Sequence, residues 1–201
     1  MITAIAFDYG GVIEISEKSI VQEIVSYLGI QRDQWLETYF SLNHLCNTGK
    51  YSWKEVMVLT AEKVGATKQQ IPHIENLLLR DVINQKLNFE LIEKIKNFKP
   101  MYKTALVSNY TTGLRQKLID QKIIDLFDEV IISGEVGYQK PQPEIFMLTC
   151  EKLGVPISEL VFIDDTPRSL ENATEIGYTP ILYIDNQKLQ QDLNLVLTEK
   201  I

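Results

Sequence analysis

Cysteine and basic residues are both scarce in this sequence, and each shortage excludes a class of protein. The 201 residues include two cysteines, Cys46 and Cys150, which stand far apart. This excludes a disulfide framework and a zinc site of clustered cysteines, and it favours a reduced, cytoplasmic compartment. The chain has 20 Lys and Arg against 27 Asp and Glu, so its net charge is -7. That acidic balance argues against binding to nucleic acid or to an anionic membrane surface.

Long apolar runs and targeting signals are missing too. No stretch of the sequence approaches the roughly 18 apolar residues of a membrane-spanning helix. Residues 1–3 lead into a strand pattern without the basic start of a cleavable signal. Since 45% of the residues are hydrophobic, a chain of this length can bury a full core. We therefore predict a soluble globular protein of one domain with an elaboration, and the sequence leaves its oligomeric state open.

From about residue 89 onward, short apolar runs alternate with amphipathic stretches. This pattern is typical of a parallel sheet joined by right-handed helical crossovers. The predicted strands are 103–107, 129–132, 160–163 and 179–184. The predicted helices are 112–121, 143–152 and 168–176, and the acidic tail 185–201, with an apolar stripe from Leu189 to Leu197, is predicted to pack on the sheet. The runs 160–163 and 181–184 do not alternate, which indicates strands buried on both faces.

The segment between the first strand and residue 89 follows a helical pattern instead. Apolar residues recur at helical spacing, for example at Ile20, Ile24 and Leu28, and no convincing strand occurs between residues 17 and 84. Roughly seventy helical residues inserted after the first strand of such a sheet would form a cap over the strand ends. We predict a core domain of residues 1–15 and 86–201 and a helical cap domain of residues 16–85.

Polar residues follow the apolar runs at four places along the chain. Asp8 follows the first strand, Ser108 the run that ends at residue 107, and Asp164 and Asp165 the run 160–163, while Lys140 lies in a turn rich in Gly and Pro. Side chains at the carboxyl ends of parallel strands converge on one crevice. A hydroxyl, an ammonium and three carboxylates gathered there would hold a divalent cation and a phosphate.

Each of these four signals is weak by itself. An Asp before two glycines is more often a turn residue, a single Lys usually lies on the surface, and an acidic pair can cap the helix that follows. Two adjacent acids at the end of a buried strand are costly unless they are paired or bound to a metal, which favours the metal. It is the order of the four signals along one chain that makes the pattern specific.

In this order, Asp8, Ser108, Lys140 and the Asp164–Asp165 pair resemble the four motifs of the haloacid dehalogenase superfamily. The resemblance covers essentially the whole chain, because the helical insertion after the first motif is similar to the helical cap of that superfamily. It implies an α/β fold with a Rossmann-like three-layer core, a parallel sheet and a small all-helical cap domain.

The resemblance also implies a role for each site residue. Asp8 would be the nucleophile that attacks phosphorus to give an aspartyl-phosphate. Asp8, the backbone carbonyl of Gly10 and Asp165 would bind Mg²⁺, with Asp164 close by, since oxygen-only ligands suit that ion.

The remaining site residues would hold the phosphate. Ser108, the backbone amide of Asn109 and Gly11 would bind its oxygens, and Lys140 would balance the charge of the phosphate and of the nucleophile. The function implied is that of a Mg²⁺-dependent phosphatase acting on a small phosphorylated metabolite, such as a sugar phosphate.

One position departs from the pattern of the superfamily, because Gly10 stands where most of its phosphatases carry a second Asp that protonates the leaving group. Such acid or base catalysis contributes roughly 10²- to 10⁴-fold, so its loss predicts a preference for leaving groups that need little proton assistance. Glu14 is a conceivable substitute acid.

Two alternatives to the phosphatase stay open. One is a binding or regulatory module with weak turnover. The other is a haloacid dehalogenase, which uses no metal and would have no use for the Asp164–Asp165 pair.

Overall fold

A computed structural model describes residues 1–16, 19–47 and 50–198 of the chain. The chain forms two compact units, which are Met1–Ile15 together with Leu87–Ile201, and Ser16–Lys86. We call the first the core unit and the second the helical unit. A cap role for the helical unit stays a prediction.

Strands and helices alternate in the core unit, and successive helices make up most of the helical unit, as expected for an α/β chain with a helical insertion. The strands are β1 (Ala4–Phe7), β2 (Glu14–Ile15), β3 (Lys86–Leu87), β4 (Lys103–Ser108), β5 (Glu129–Ile132), β6 (Leu160–Asp164) and β7 (Thr179–Leu182). The helices are α1 (Ile20–Leu28), α2 (Arg32–Leu42), α3 (His44–Asn47), α4 (Trp53–Lys63), α5 (Ile71–Asn84), α6 (Phe89–Phe98), α7 (Leu114–Asp120), α8 (Ser133–Val136), α9 (Pro143–Leu153), α10 (Pro167–Leu170), α11 (Ala173–Ile176) and α12 (Asn186–Thr198).

The core unit is built on a five-stranded sheet in the order β5-β4-β1-β6-β7, in which every pair of neighbours is parallel. The central strand β1 pairs on one side with β4 and on the other with β6, so that Phe7 lies level with Leu106 and Ile163. All four residues of β1 are buried, as expected for an apolar strand covered on both faces. The predicted parallel sheet is confirmed, and the carboxyl ends of its strands lie along one edge.

Helices cover both faces of this sheet. Successive side chains of a strand point to opposite faces, and accordingly Ile5 and Phe7 belong to one apolar cluster while Ala4 and Ala6 belong to another. Helices α6, α7 and α12 contribute leucines and isoleucines to the first cluster, and α9 contributes Ile145 and Phe146 to the second. The result is the predicted three-layer core.

Strand β7 differs from the prediction. It lies at the edge of the sheet, and Leu182 and Ile184 are 38% and 65% exposed, whereas Ile181 and Tyr183 are buried. An edge strand lacks one neighbour, and only one of its faces is covered here, so the expectation of burial on both faces was wrong for this run. The tail does pack on the sheet as predicted: it forms α12, whose Leu189 and Leu193 are buried in the first cluster.

The helical unit has a core of its own. Residues of α1, α2, α4 and α5 meet around the fully buried Trp35. Helix α4 begins at a capping box in which Ser52 and Glu55 satisfy each other's backbone amides. Across the described ranges, no helix is both long and apolar enough to span a membrane.

Candidate active site

The end of β1 places Asp8 beside the end of β6. Asp8 directly follows β1, and its backbone N–H donates to the carbonyl of Ile163 at 2.8 Å. Because Phe7 is level with Ile163, Asp8 is level with Asp164, the last residue of β6. The parallel register therefore brings two acids that are far apart in sequence to the same edge.

Lys140 lies between these two acids. Its Nζ is 2.8 Å from Oδ1 of Asp8 and 2.5 Å from Oδ2 of Asp164, and its side chain is only 2% exposed. A buried ammonium is tolerated because it is paired with opposite charges at hydrogen-bond distance. The structure thus brings together three of the residues that the sequence singled out.

The turn that carries Lys140 is held by the loop after β4. The side chain of Asn109 accepts a hydrogen bond from the backbone N–H of Lys140 at 2.8 Å and donates to its carbonyl at 3.0 Å. The sequence suggested only a backbone role for Asn109, and this side-chain clamp was missed because its partner lies 31 residues away. Ser108 ends β4 and is buried, one residue beyond the level of Asp8.

The three acids form a compact cluster, since Asp8, Asp164 and Asp165 each offer a carboxylate oxygen within 4.8 Å of the others. Asp164 accepts from Lys140 and from the backbone N–H of Thr166 at 2.8 Å, and Thr166 Oγ1 donates to Asp165 at 3.2 Å. Lys140 contacts two of these three carboxylates, those of Asp8 and Asp164, so the cluster carries more negative charge than this ammonium balances.

That excess is reflected in the acidity of the cluster. Burial, opposed by Lys140 but assisted by the charges of Asp164 and Asp165, raises the pKa of Asp8 from 3.8 to about 7. Burial and the charge of Asp164 raise the pKa of Asp165 to about 6. A divalent cation among these oxygens would offset the excess charge, and oxygen-only donors suit Mg²⁺. The donor set therefore fits the magnesium that the superfamily resemblance implies.

In the absence of divalent cations, the free energy of unfolding of the protein should fall as pH rises from about 4 to about 7. Between 3.8 and about 7, Asp8 keeps in the folded state a proton that it has lost in the unfolded state. The free energy of unfolding should decrease over this range by an amount of the order of a few kcal/mol. Thermal unfolding in EDTA at a series of pH values measures this, and Asp8→Asn should flatten the profile. A stability that rises with pH in EDTA would contradict the prediction.

The two glycines after Asp8 have different surroundings. Gly11 has a φ of +78°, and a Cβ built there would lie 2.3 Å from Oδ2 of Asp165, so a side chain at this position would displace that carboxylate. Backbone and carboxylate therefore approach each other closely at this point. Gly10 is exposed, and a Cβ there would meet no atom within 4 Å. The position that departs from the superfamily pattern thus has room for a side chain.

Glu14 does not have the surroundings of a substitute acid. One of its carboxylate oxygens accepts from the Tyr9 hydroxyl at 2.8 Å and from Gln121 at 3.1 Å, and the other accepts from Lys117 at 2.6 Å. Both oxygens are already bound by donors, so this carboxylate is not poised to give a proton to a leaving group. Tyr9 was not predicted to be a partner of Glu14, because no sequence motif marks it.

The family model of haloacid dehalogenase-like hydrolases matches residues 2–177 of the chain. The chain belongs to this hydrolase family. The family that the four motifs resembled is therefore confirmed.

This hydrolase is 24% identical to the D-ribitol-5-phosphate phosphatase of Bacteroides thetaiotaomicron, over 98% of this chain and 99% of that protein. Three other curated relatives are matched over only 13%, 34% and 26% of their own lengths, so the hydrolase spans a minor part of those proteins.

Solved structures share the fold of this hydrolase. A HAD-like family hydrolase from Porphyromonas gingivalis superimposes with a TM-score of 0.66 and 21% identity, and 100% of each chain is covered. A HAD family enzyme from Bacteroides thetaiotaomicron, in complex with magnesium and inorganic phosphate, gives a TM-score of 0.59 and 22% identity over 92% of this chain and 96% of that one. The roles of the site residues in this hydrolase stay predictions.

Proposed function

We propose that this hydrolase is a Mg²⁺-dependent phosphatase that acts on a small phosphorylated metabolite, such as a sugar phosphate, through an aspartyl-phosphate on Asp8. The observation that carries the proposal is the buried cluster at the edge of the sheet, in which Lys140 contacts Asp8 and Asp164 and Asp165 lies beside them. A cluster of acids with raised pKa values and one ammonium suits a reaction in which cations must neutralise an incoming dianion.

Two relatives support this proposal. One is a phosphatase of D-ribitol 5-phosphate that matches the chain over almost its whole length. The other is a structure of similar fold that contains magnesium and inorganic phosphate. An acidic pair would serve no purpose in a haloacid dehalogenase, so that alternative stays the weaker one.

In the proposed reaction, an Oδ of Asp8 attacks phosphorus and the bond from phosphorus to the leaving oxygen breaks. Water then attacks the aspartyl-phosphate, which releases inorganic phosphate and restores the Asp8 carboxylate. Lys140, already 2.8 Å from Asp8, would lower the repulsion between this carboxylate and the phosphate. Mg²⁺ bound by Asp8, the Gly10 carbonyl and Asp165, with Asp164 close by, would supply further positive charge.

The phosphate would be held by groups at the ends of β1 and β4. We propose that Ser108 and the backbone amides of Asn109 and Gly11 bind its oxygens, since amides and hydroxyls at a loop that follows a strand are common phosphate ligands. We also propose that the helical unit selects the substrate as a cap. A cytoplasmic location is inferred from two widely separated cysteines, both of which are free and buried.

Phosphate release with and without Mg²⁺ tests the proposal. We expect Mg²⁺-dependent release from para-nitrophenyl phosphate and from a sugar 1-phosphate, with a slower reaction on a sugar 6-phosphate, whose alkoxide leaves less readily. The Asp8→Asn variant serves as the control for contaminating phosphatases. If EDTA leaves the rate unchanged, the proposed function is wrong.

Gly10→Asp should raise kcat on a simple alkyl phosphate by about 10-fold or more, because acid–base assistance contributes roughly 10²- to 10⁴-fold. The added side chain has room, since a Cβ at Gly10 meets no atom within 4 Å and its φ is not positive. Rates on glycerol phosphate and on para-nitrophenyl phosphate measure the effect, and Gly10→Asn is the matched control without an acid. No gain on the alkyl phosphate would contradict the leaving-group explanation.

A second candidate is a binding or regulatory module that holds phosphate and metal and turns over slowly. The glycine at position 10, with no substitute donor at Glu14, favours it. Calorimetric binding of Mg²⁺ and a sugar phosphate without any release of inorganic phosphate would support this candidate over the phosphatase.

A further inference from the structure

The residue directly after Asp8 belongs to a buried polar cluster for which the proposed reaction has no use. Tyr9 is fully buried, and its hydroxyl lies 2.8 Å from Oε1 of Glu14 and 3.0 Å from Oε1 of Gln121. Its ring meets Tyr110 edge-on at 6.0 Å, next to Asn109 in the loop after β4. A buried tyrosine hydroxyl needs a hydrogen-bond partner, and a carboxylate is the strongest partner available to it.

Lys117 completes this cluster from helix α7. Its Nζ is 2.6 Å from Oε2 of Glu14 and 5.2 Å from the centre of the Tyr9 ring. The ammonium therefore neutralises a carboxylate that is only 9% exposed and also contacts the face of the aromatic ring. Because Lys117 belongs to α7, the cluster ties the segment after Asp8 to a helix that packs on the sheet.

The same cluster closes a tight turn in the backbone. The carbonyl of Tyr9 accepts from the N–H groups of Ile13 and Glu14 at 2.9 and 2.8 Å, and the N–H of Gly11 donates to the carbonyl of Glu14 at 2.8 Å. Tyr9 and Glu14 are thus the two ends of the turn, and the side chains of both belong to the polar cluster. Within the turn lie Gly10 and Gly11.

This turn forms one wall of the acidic site. Gly11 approaches Asp165 so closely that a Cβ would lie 2.3 Å from its carboxylate. The backbone N–H of Tyr9 also donates to Oδ1 of Asp8 at 2.7 Å. A shift of the turn by a fraction of an ångström would therefore alter the distances among the groups that the proposed function assigns to the cation.

We propose that Tyr9, Glu14 and Lys117 form a positioning network, which holds the Gly10–Gly11 turn against Asp165 in the geometry that Mg²⁺ binding requires. The inference rests on the proposed function, since it assumes a cation at the acidic cluster. Groups that orient the ligands of a metal typically change its affinity by about 10- to 100-fold when they are lost. Loss of the Tyr9 hydroxyl removes one donor to Glu14 and leaves the apolar packing of the ring in place.

Tyr9→Phe tests the proposal with Mg²⁺ as the probe. We expect the Kd of Mg²⁺, measured by calorimetry on the metal-free full chain, to rise by about 10-fold. Lys117→Met should raise the Kd of Mg²⁺ by a similar factor, and Lys117→Arg, which keeps the positive charge, should raise it less. The double variant Tyr9→Phe with Lys117→Met should have a Kd no higher than that of the single variant that binds Mg²⁺ more weakly. Hydrogen exchange at residues 10–14 of metal-free Tyr9→Phe should be faster than in the wild type.

The matched control is Tyr39→Phe, which removes a hydroxyl from the apolar core of the helical unit. It should leave the Kd of Mg²⁺ within about two-fold of the wild type, since a general loss of stability does not change affinity far below the melting temperature. If Tyr9→Phe binds Mg²⁺ as tightly as the wild type, the positioning proposal is overturned and the proposed function stands. If the wild type binds no Mg²⁺, both are overturned.

Discussion

Asp8→Asn should lower kcat/KM for phosphate release by at least about 10⁴-fold, an effect on the scale of losing a nucleophile. The amide has nearly the shape of the carboxylate, but it cannot attack phosphorus as an anion. Lys140 keeps its second partner, Asp164, at 2.5 Å, so the fold of the site should survive. Single-turnover release from para-nitrophenyl phosphate in saturating Mg²⁺ measures the loss.

The control for this variant is an acid-to-amide change far from the site. Asp192→Asn affects an exposed pair with Lys188 on α12 and should leave kcat/KM unchanged. Asp8→Asn should also melt no lower than the wild type in EDTA at neutral pH, because it removes one of the crowded carboxylates. If Asp8→Asn releases phosphate at a rate near that of the wild type, no aspartyl-phosphate forms on Asp8, and the proposed mechanism is wrong.

Lys140→Met should lower the free energy of unfolding of the metal-free protein by about 3–5 kcal/mol at neutral pH, the typical cost of removing one partner from a buried ion pair. Methionine fills a similar volume, but Asp8 and Asp164 then lose the ammonium that contacts both of them. Urea unfolding in EDTA measures the loss. Saturating Mg²⁺ should restore part of it, since a cation can offset the same charges.

Lys188→Met provides the comparison for this second prediction, because its ion pair with Asp192 is exposed and should contribute no more than about 1 kcal/mol. At lower pH the cost of Lys140→Met should shrink, because protonation of Asp8 removes charge that the ammonium otherwise balances. A loss as small as that of Lys188→Met would mean that Lys140 is not the main partner of these acids.

Much of the fold and of the candidate site could be predicted because the signals are local. A parallel strand covered on both faces is mostly apolar, so β1, β4 and β6 stand out in the sequence, and the polar residue at the end of each is easy to find. The parallel pairing of β1 and β6 then brings Asp8 and Asp164 together, and the turn held by Asn109 places Lys140 between them. The prediction failed at β7, where Pro180 lacks a backbone N–H and therefore indicates an edge strand, but the apolar run 181–184 was interpreted as buried on both faces.

The amino-acid sequence by itself determined the alternation of strands and helices, the helical insertion after the first strand and the order of the polar residues at the strand ends. These follow from hydrophobic periodicity and turn chemistry over a few neighbouring residues. Only the tertiary structure decided that Glu14 is bound by Tyr9 and Lys117 and that Gly11 lies against Asp165. Lys117 is 103 residues from Glu14, and such partners are chosen by how the strands and helices pack, for which no local pattern exists.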